Sequence, residues 1–170
     1  VAVVTGAMYG VTQEGTSRSI FVGAPYKTGG KTGTAQAVGI RANEKYNASK
    51  LSEYQRDHSL YTAFGPLESP TVALAIVVEN AGFGAAAAAP IARRVFDYLI
   101  SGQWPSDEDM QATREGRSVT PMGTPRRADE VPLADIGLGA IAALAPVPVR
   151  QTTALAAPSA APAAAVRTTP

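Results

Sequence analysis

The placement of aromatic residues constrains this chain more than any other feature: the six tyrosines, four phenylalanines and single tryptophan all fall between Tyr9 and Trp104. A segment with no aromatic and few bulky apolar side chains lacks the surface to offset the entropy of ordering its backbone. From Pro105 to Pro170 the sequence carries nine of the thirteen prolines and closes in a run of alanine, threonine and proline. That composition predicts a disordered tail over 105–170 and confines the packed part to 1–104. The whole-chain values of 45% hydrophobic and 17% charged residues average over these two unlike parts.

Composition also narrows the classes of function. The net charge is +1 with basic residues scattered, and Arg126-Arg127 is too small a patch to bind a polyanion, so no nucleic-acid partner is expected. The absence of cysteine excludes disulfides, iron–sulfur clusters and thiolate zinc sites. His58, the single histidine, has no tight carboxylate cluster beside it in sequence and cannot complete a metal site, so neither metal nor cofactor is expected. No stretch approaches the roughly 20 apolar residues that span a bilayer. The nearest, Ile136 to Val149, is short and interrupted by Gly139, Pro146 and Pro148. The opening Val1-Ala2-Val3-Val4-Thr5 lacks an initiator methionine or charged leader and reads as the interior of a longer chain.

Periodicity places several elements before Trp104. Val1 to Val11 reads as the end of a buried helix, followed by a turn at Gln13-Glu14-Gly15-Thr16. Tyr26 to Val38, rich in Thr and Gly, suits an extended strand that something must approach closely. Arg41 to His58 is polar and reads as a surface excursion with a short helix. Leu60–Phe64 and Thr71–Val78 read as antiparallel strands joined by the loop Gly65-Pro66-Leu67-Glu68-Ser69-Pro70. A helix should then start within Ala85–Ala89, with Pro90 in its first turn. Its packed face would be Ile91, Ala92, Val95, Phe96 and Leu99, its outer face Arg93, Arg94, Asp97 and Ser101, and its stop Gly102. These elements make an incomplete sheet that needs further strands and helices to bury both faces.

Chemistry concentrates in Tyr26-Lys27-Thr28-Gly29-Gly30-Lys31-Thr32-Gly33-Thr34-Ala35-Gln36. A phosphate-binding loop would need glycine where Pro25 stands and a helix where Thr32 to Val38 has the composition of a strand. An isolated Lys-Thr-Gly would be an ordinary loop with a solvent-facing lysine. This one is followed by Asp57-His58-Ser59-Leu60-Tyr61-Thr62-Ala63-Phe64-Gly65-Pro66 and by Val77-Val78-Glu79-Asn80. Together these runs resemble the penicillin-binding transpeptidases, among whose relatives Lys-Thr-Gly is a signature. Arg41-Ala42-Asn43-Glu44-Lys45-Tyr46-Asn47 and Arg56-Asp57-His58 are most similar to the elongation-type class B branch, and the resemblance spans about Val1 to Trp104.

The resemblance implies an α/β fold of the α+β type: part of the serine β-lactamase and penicillin-binding transpeptidase fold, with antiparallel strands, a C-terminal packing helix and then the tail. In that family a serine of a Ser-x-x-Lys helix attacks a D-Ala-D-Ala stem peptide, and a Ser-x-Asn motif faces the Lys-Thr-Gly strand. Neither motif occurs here, so the chain alone is expected to be inactive. The resemblance gives Lys31 the part of the cleft cation, and Thr32, Thr34 and Gln36 that of substrate-binding residues. Gly33 would be the bare position along which substrate lies, and the Thr34 N–H one donor of the oxyanion hole. It makes His58 structural and implies as partners the stem peptide, β-lactams, a wall glycosyltransferase and other elongation proteins. It also implies a parent anchored in the bacterial cytoplasmic membrane with its catalytic domain on the periplasmic side. A carboxypeptidase or β-lactamase would share the motif, and the competing reading is a non-enzymatic module docking on wall-synthesis partners through its sheet edge or Pro-rich tail.

Overall fold

A computed structural model describes residues 1–39, 46–117 and 119–132. Helix α1 (Ala2–Gln13) and the single turn α2 (Arg18–Phe21) precede strand β1 (Gly29–Ala35). Strands β2 (His58–Gly65) and β3 (Val72–Val78) form the expected hairpin, and helix α3 (Gly84–Ser101) follows. The three strands make one antiparallel sheet in the order β1-β2-β3, with Thr32 opposite Tyr61 and Tyr61 opposite Ile76. This mixed architecture of helices on an antiparallel sheet is the fold class the sequence implies.

One face of the sheet is packed. Tyr61 and Ala63, with Leu74, Ile76 and Val78 beside them, meet Ile20 and Phe21 of α2 and Ala88, Ala89, Ala92 and Phe96 of α3. The side-chain alternation of a strand sends Thr62, Ala73, Ala75 and Val77 to the other face, where all four are exposed. Alanines at 88, 89 and 92 let α3 lie close on the strands, and Gly84 brings its first turn closer still. A Cβ at Gly84 would lie 2.4 Å from the Gly33 carbonyl oxygen and 2.5 Å from that of Leu60. Gly84→Ala must therefore lift the helix or push β1 aside, at an expected cost of about 1–3 kcal/mol, seen as a lower urea midpoint.

Helix α3 corrects two expectations. It begins at Gly84, which puts Pro90 in the second turn instead of the first. The early start is held by the sheet: the Ser59 hydroxyl donates to the Phe83 carbonyl at 3.2 Å and accepts the Ala88 N–H at 3.1 Å. Its packed face is also rotated from the one expected. Arg93 and Asp97 are buried beside Ala92 and Phe96, whereas Ile91 and Leu99 are 44% and 54% exposed. The charges go inside because they satisfy each other. Arg93 Nε donates to both Asp97 oxygens at 2.9 and 3.0 Å, its Nη1 donates to the Ile20 and Val22 carbonyls, and Tyr26 donates its hydroxyl to Asp97 at 2.6 Å. Burial, and then the Asp97 carboxylate, raise the Tyr26 pKa far above the ordinary phenol range. The Gly102 stop is as expected, in the left-handed region with φ of 60° and its N–H returned to the helix.

Three further expectations meet the structure differently. Helix α1 forms, yet Val1, Val3 and Val4 are exposed and its one buried residue is Thr12. The excursion before β2 contains two 3-10 turns, Ala48–Lys50 and Glu53–Gln55, while residues 40–45 lie outside the described residues. Beyond Trp104, where a disordered tail was expected, residues 105–132 carry helix α4 (Asp107–Arg114) between the short strands β4 (Gln103–Trp104) and β5 (Arg126–Arg127). Their order does not need aromatic mass. The Ser106 hydroxyl caps α4 by accepting the Asp109 N–H at 3.0 Å, three acids sit in the first turn, and Asp109, 1% exposed, chelates the Arg94 guanidinium at 2.6 and 2.8 Å. Trp104 meets Tyr98 edge-on, with ring centroids 6.0 Å apart. The expectation for residues 133–170 lies outside the described residues.

Candidate functional site

The residues singled out in the sequence lie on β1, at the edge of the sheet. Two glycines explain why the strand can sit where it does. A Cβ at Gly30 would lie 2.1 Å from the Tyr61 hydroxyl, and one at Gly29 would lie 2.5 Å from the Phe64 ring. Both rings come from β2, so the glycine pair draws the edge strand down over its neighbour.

Lys31 follows at once and is exposed, with its ammonium donating to the Thr32 carbonyl at 2.6 Å. It forms no ion pair with any described carboxylate, leaving its positive charge available on the strand edge. Thr32 is turned inward, 9% exposed, with its hydroxyl 2.9 Å from that of Thr16. Gly33 is half-buried and lies directly against Gly84. A Cβ there would come within 3.3 Å of Leu60 Cβ, a tight contact that a few tenths of an ångström would relieve, so the chain's own packing does not forbid a side chain as it does at Gly29 and Gly30. Thr34 is exposed, opposite Ser59 in the register. Gln36 is exposed one residue past the strand and donates its side-chain amide to the Val38 carbonyl at 2.8 Å. The structure thus brings Lys31, Thr32, Gly33 and Thr34 onto one strand edge and leaves Gln36 just beyond it.

Behind the strand lies a set of hydroxyls that sequence reasoning missed. Thr12 donates to the Thr28 carbonyl at 2.9 Å, Thr16 bonds Thr32, and the buried Ser17 hydroxyl lies 3.1 Å from the Tyr61 hydroxyl. Burial raises the Tyr61 pKa, with the Ser17 hydrogen bond opposing the shift. The signal available was Gly15-Thr16-Ser17, a glycine followed by two hydroxyls at the end of a helix. At the far end of the strand, Asp57 is buried, accepts the Ala37 N–H at 3.2 Å and gives its carbonyl to the Gly82 N–H at 2.8 Å. His58 Nδ1 accepts the Asn80 N–H at 3.0 Å, a bond that ties the strand entrance to the turn after β3. Among the described residues no three His, Cys, Asp or Glu side chains are grouped to hold a metal.

What this arrangement can do is bind an extended, anionic ligand: an edge strand offers backbone groups in a row, a lysine offers charge, and two threonines offer hydroxyl protons. A family profile described as the penicillin binding protein transpeptidase domain matches residues 1–97. The peptidoglycan D,D-transpeptidase MrdA of Escherichia coli K12 is 46% identical over 97 residues, covering 56% of this chain and 15% of that protein. The MrdA of Haemophilus influenzae is 41% identical over 103 residues, covering 59% of this chain and 16% of its own length. Among solved structures, Pseudomonas aeruginosa PBP2 in complex with WCK 5153 is similar at 32% identity and a TM-score of 0.44, over 55% of this chain and 18% of that one. The chain therefore spans about a sixth of the curated relatives it matches.

Proposed function

This chain belongs to the penicillin-binding protein transpeptidase family, and from that premise we propose that residues 1–104 are the C-terminal portion of a peptidoglycan D,D-transpeptidase. The observation that carries the reading is the β1 edge, where Lys31 stands exposed and, among the described residues, without a carboxylate partner, beside Thr32, Gly33 and Thr34. In this reading a serine of the parent enzyme, outside this chain, attacks the carbonyl of the penultimate D-Ala of a stem peptide. The D-Ala-D-Ala amide breaks and the terminal D-Ala leaves, and an amine of a second strand then takes the acyl group and frees the serine. Penicillins acylate the same serine and stop there.

Each residue has a part that follows from its chemistry. The Lys31 ammonium attracts the terminal carboxylate of the stem peptide or β-lactam. Thr32 and Thr34 donate hydroxyl protons to that carboxylate, and Gln36 contributes a side-chain amide at the strand's end. Gly33, which the chain's own packing barely requires to be glycine, keeps the edge bare so that substrate can lie along it as an added strand. The Thr34 N–H supplies one of two donors to the tetrahedral oxyanion, each worth on the order of 100- to 1000-fold in rate. Water in place of the amine would make the same site a carboxypeptidase, and the amine is favoured by the MrdA relatives, which bear the transpeptidase name.

Partners follow from the same premise: the stem peptide and β-lactams at the edge, and a wall glycosyltransferase with other elongation proteins around the parent. The parent would be held at the cytoplasmic membrane with this domain on its outer side. No helix among the described residues is long and apolar enough to cross a membrane, so the anchor would lie elsewhere in the parent. The test is to label native membranes with a fluorescent penicillin, isolate each tagged band and search it for peptides from Tyr26 to Arg56. Their presence in a tagged band several times larger than 17.5 kDa is expected. Their recovery only from untagged species would overturn the catalytic reading.

A further inference from the structure

Thr16 stands outside the Lys-Thr-Gly strand, in the turn between α1 and α2, yet its hydroxyl lies 2.9 Å from that of Thr32. Either oxygen can be the donor, and the choice matters because each hydroxyl has one proton. If Thr32 donates to Thr16, its proton is withheld from an incoming carboxylate. If Thr16 donates, a lone pair of Thr32 is filled and the Thr32 proton is left to point outward. The geometry assigns Thr16 the part of a positioning residue: it donates to Thr32 Oγ1 and so reserves the Thr32 proton for the carboxylate of the ligand. This deepens the transpeptidase reading of the β1 edge and rests on it.

The turn is built to hold Thr16 in place independently of its own exposed side chain. Gly15 lets the chain double back onto α1, since a Cβ there would lie 2.7 Å from Val11 Cα. The Ser17 N–H and hydroxyl both donate to the Val11 carbonyl at 3.2 Å, and the hydroxyl also lies 3.1 Å from that of Tyr61 under the sheet. On the other side of the turn, Thr12 is bonded to the Thr28 carbonyl, just ahead of β1. Thr16 is thus fixed between two attachments, one leading to β1 and one to β2. Thr32, 9% exposed, has little access to water, which makes Thr16 its specific partner. A carboxylate accepting from Thr32 polarises that hydroxyl and strengthens the bond it accepts from Thr16.

The experiment uses the full-length protein and compares acylation rates by a β-lactam with a free carboxylate and by its methyl ester. Thr16→Val is expected to slow the free acid about three- to tenfold, the worth of one hydrogen bond, and to leave the ester unchanged. Thr16→Ser should restore the rate, and Thr16→Val combined with Thr32→Val should be no slower than Thr32→Val alone. Equal slowing of acid and ester, a serine variant as slow as the valine one, or additive losses would each overturn the positioning role. A wild-type protein that no β-lactam acylates would overturn the transpeptidase reading and this role with it. Wild-type acylation that is indifferent to Thr16 overturns the role alone.

Discussion

Arg93→Ala is expected to lower stability by about 3–5 kcal/mol, the range for leaving one charge of a buried ion pair without its partner. The two side chains are 7% and 10% exposed, and their contact at 2.9 Å is joined by bonds that reach beyond the pair. Among the described residues, removing the guanidinium leaves the Asp97 carboxylate with only the Tyr26 hydroxyl, and takes the Arg93 donor from the Ile20 and Val22 carbonyls at the end of α2. The loss therefore comes from three acceptors at once, of which the Asp97 carboxylate and the Ile20 carbonyl are buried. A double replacement, Arg93→Met with Asp97→Leu, is expected to recover much of it, because two apolar side chains of similar size need no partner. Urea denaturation at constant slope measures both. An Arg93→Ala variant within about 1 kcal/mol of wild type would mean that the pair is not what joins α2 to α3.

Lys31→Ala is expected to do the opposite: leave stability within about 0.5 kcal/mol, as for a surface change, and slow acylation by penicillin in the full-length protein about 10- to 100-fold. The lysine is exposed and, among the described residues, donates only to the carbonyl of its neighbour, so folding asks little of it. A charge-assisted hydrogen bond to a carboxylate is a different matter once water is partly excluded from between them. Rates from time-resolved penicillin labelling, alongside thermal unfolding of the same preparations, separate the two effects. Unchanged acylation with Lys31 removed would overturn the part given to it.

How far the sequence could be read depended on whether the deciding forces were local. The hairpin of β2 and β3 was legible because β-branched and aromatic residues alternate on either side of a Gly/Pro loop, and the Lys-Thr-Gly edge because its neighbours carry the family's wording. The stop at Gly102 was legible because one residue in the left-handed region suffices. The face of α3 was not. Arg93 and Asp97 read as solvent-facing, and only the approach of Ile20, Val22 and Tyr26 from a distant part of the chain makes their burial favourable. Order after Trp104 was hidden for the same reason, since Asp109 reads as a surface acid until Arg94 is brought to it. Thr16 and Ser17 read as turn residues, and their bonds to Thr32 and Tyr61 span 16 and 44 positions of sequence.

The placement of β1 at the sheet's edge has a consequence in time as well as in space. In β2, flanked by strands on both sides, every backbone amide within the ladder has a partner, and deuterium should enter it slowest. In β1 only alternate amides face β2, so slow and fast exchange should alternate from Gly29 to Ala35. A ligand that lies along the free edge as an added strand would slow the fast set and leave the slow set as it was. Occupancy of the edge would then be recorded as the erasure of an alternation, residue by residue, with no label on the ligand at all.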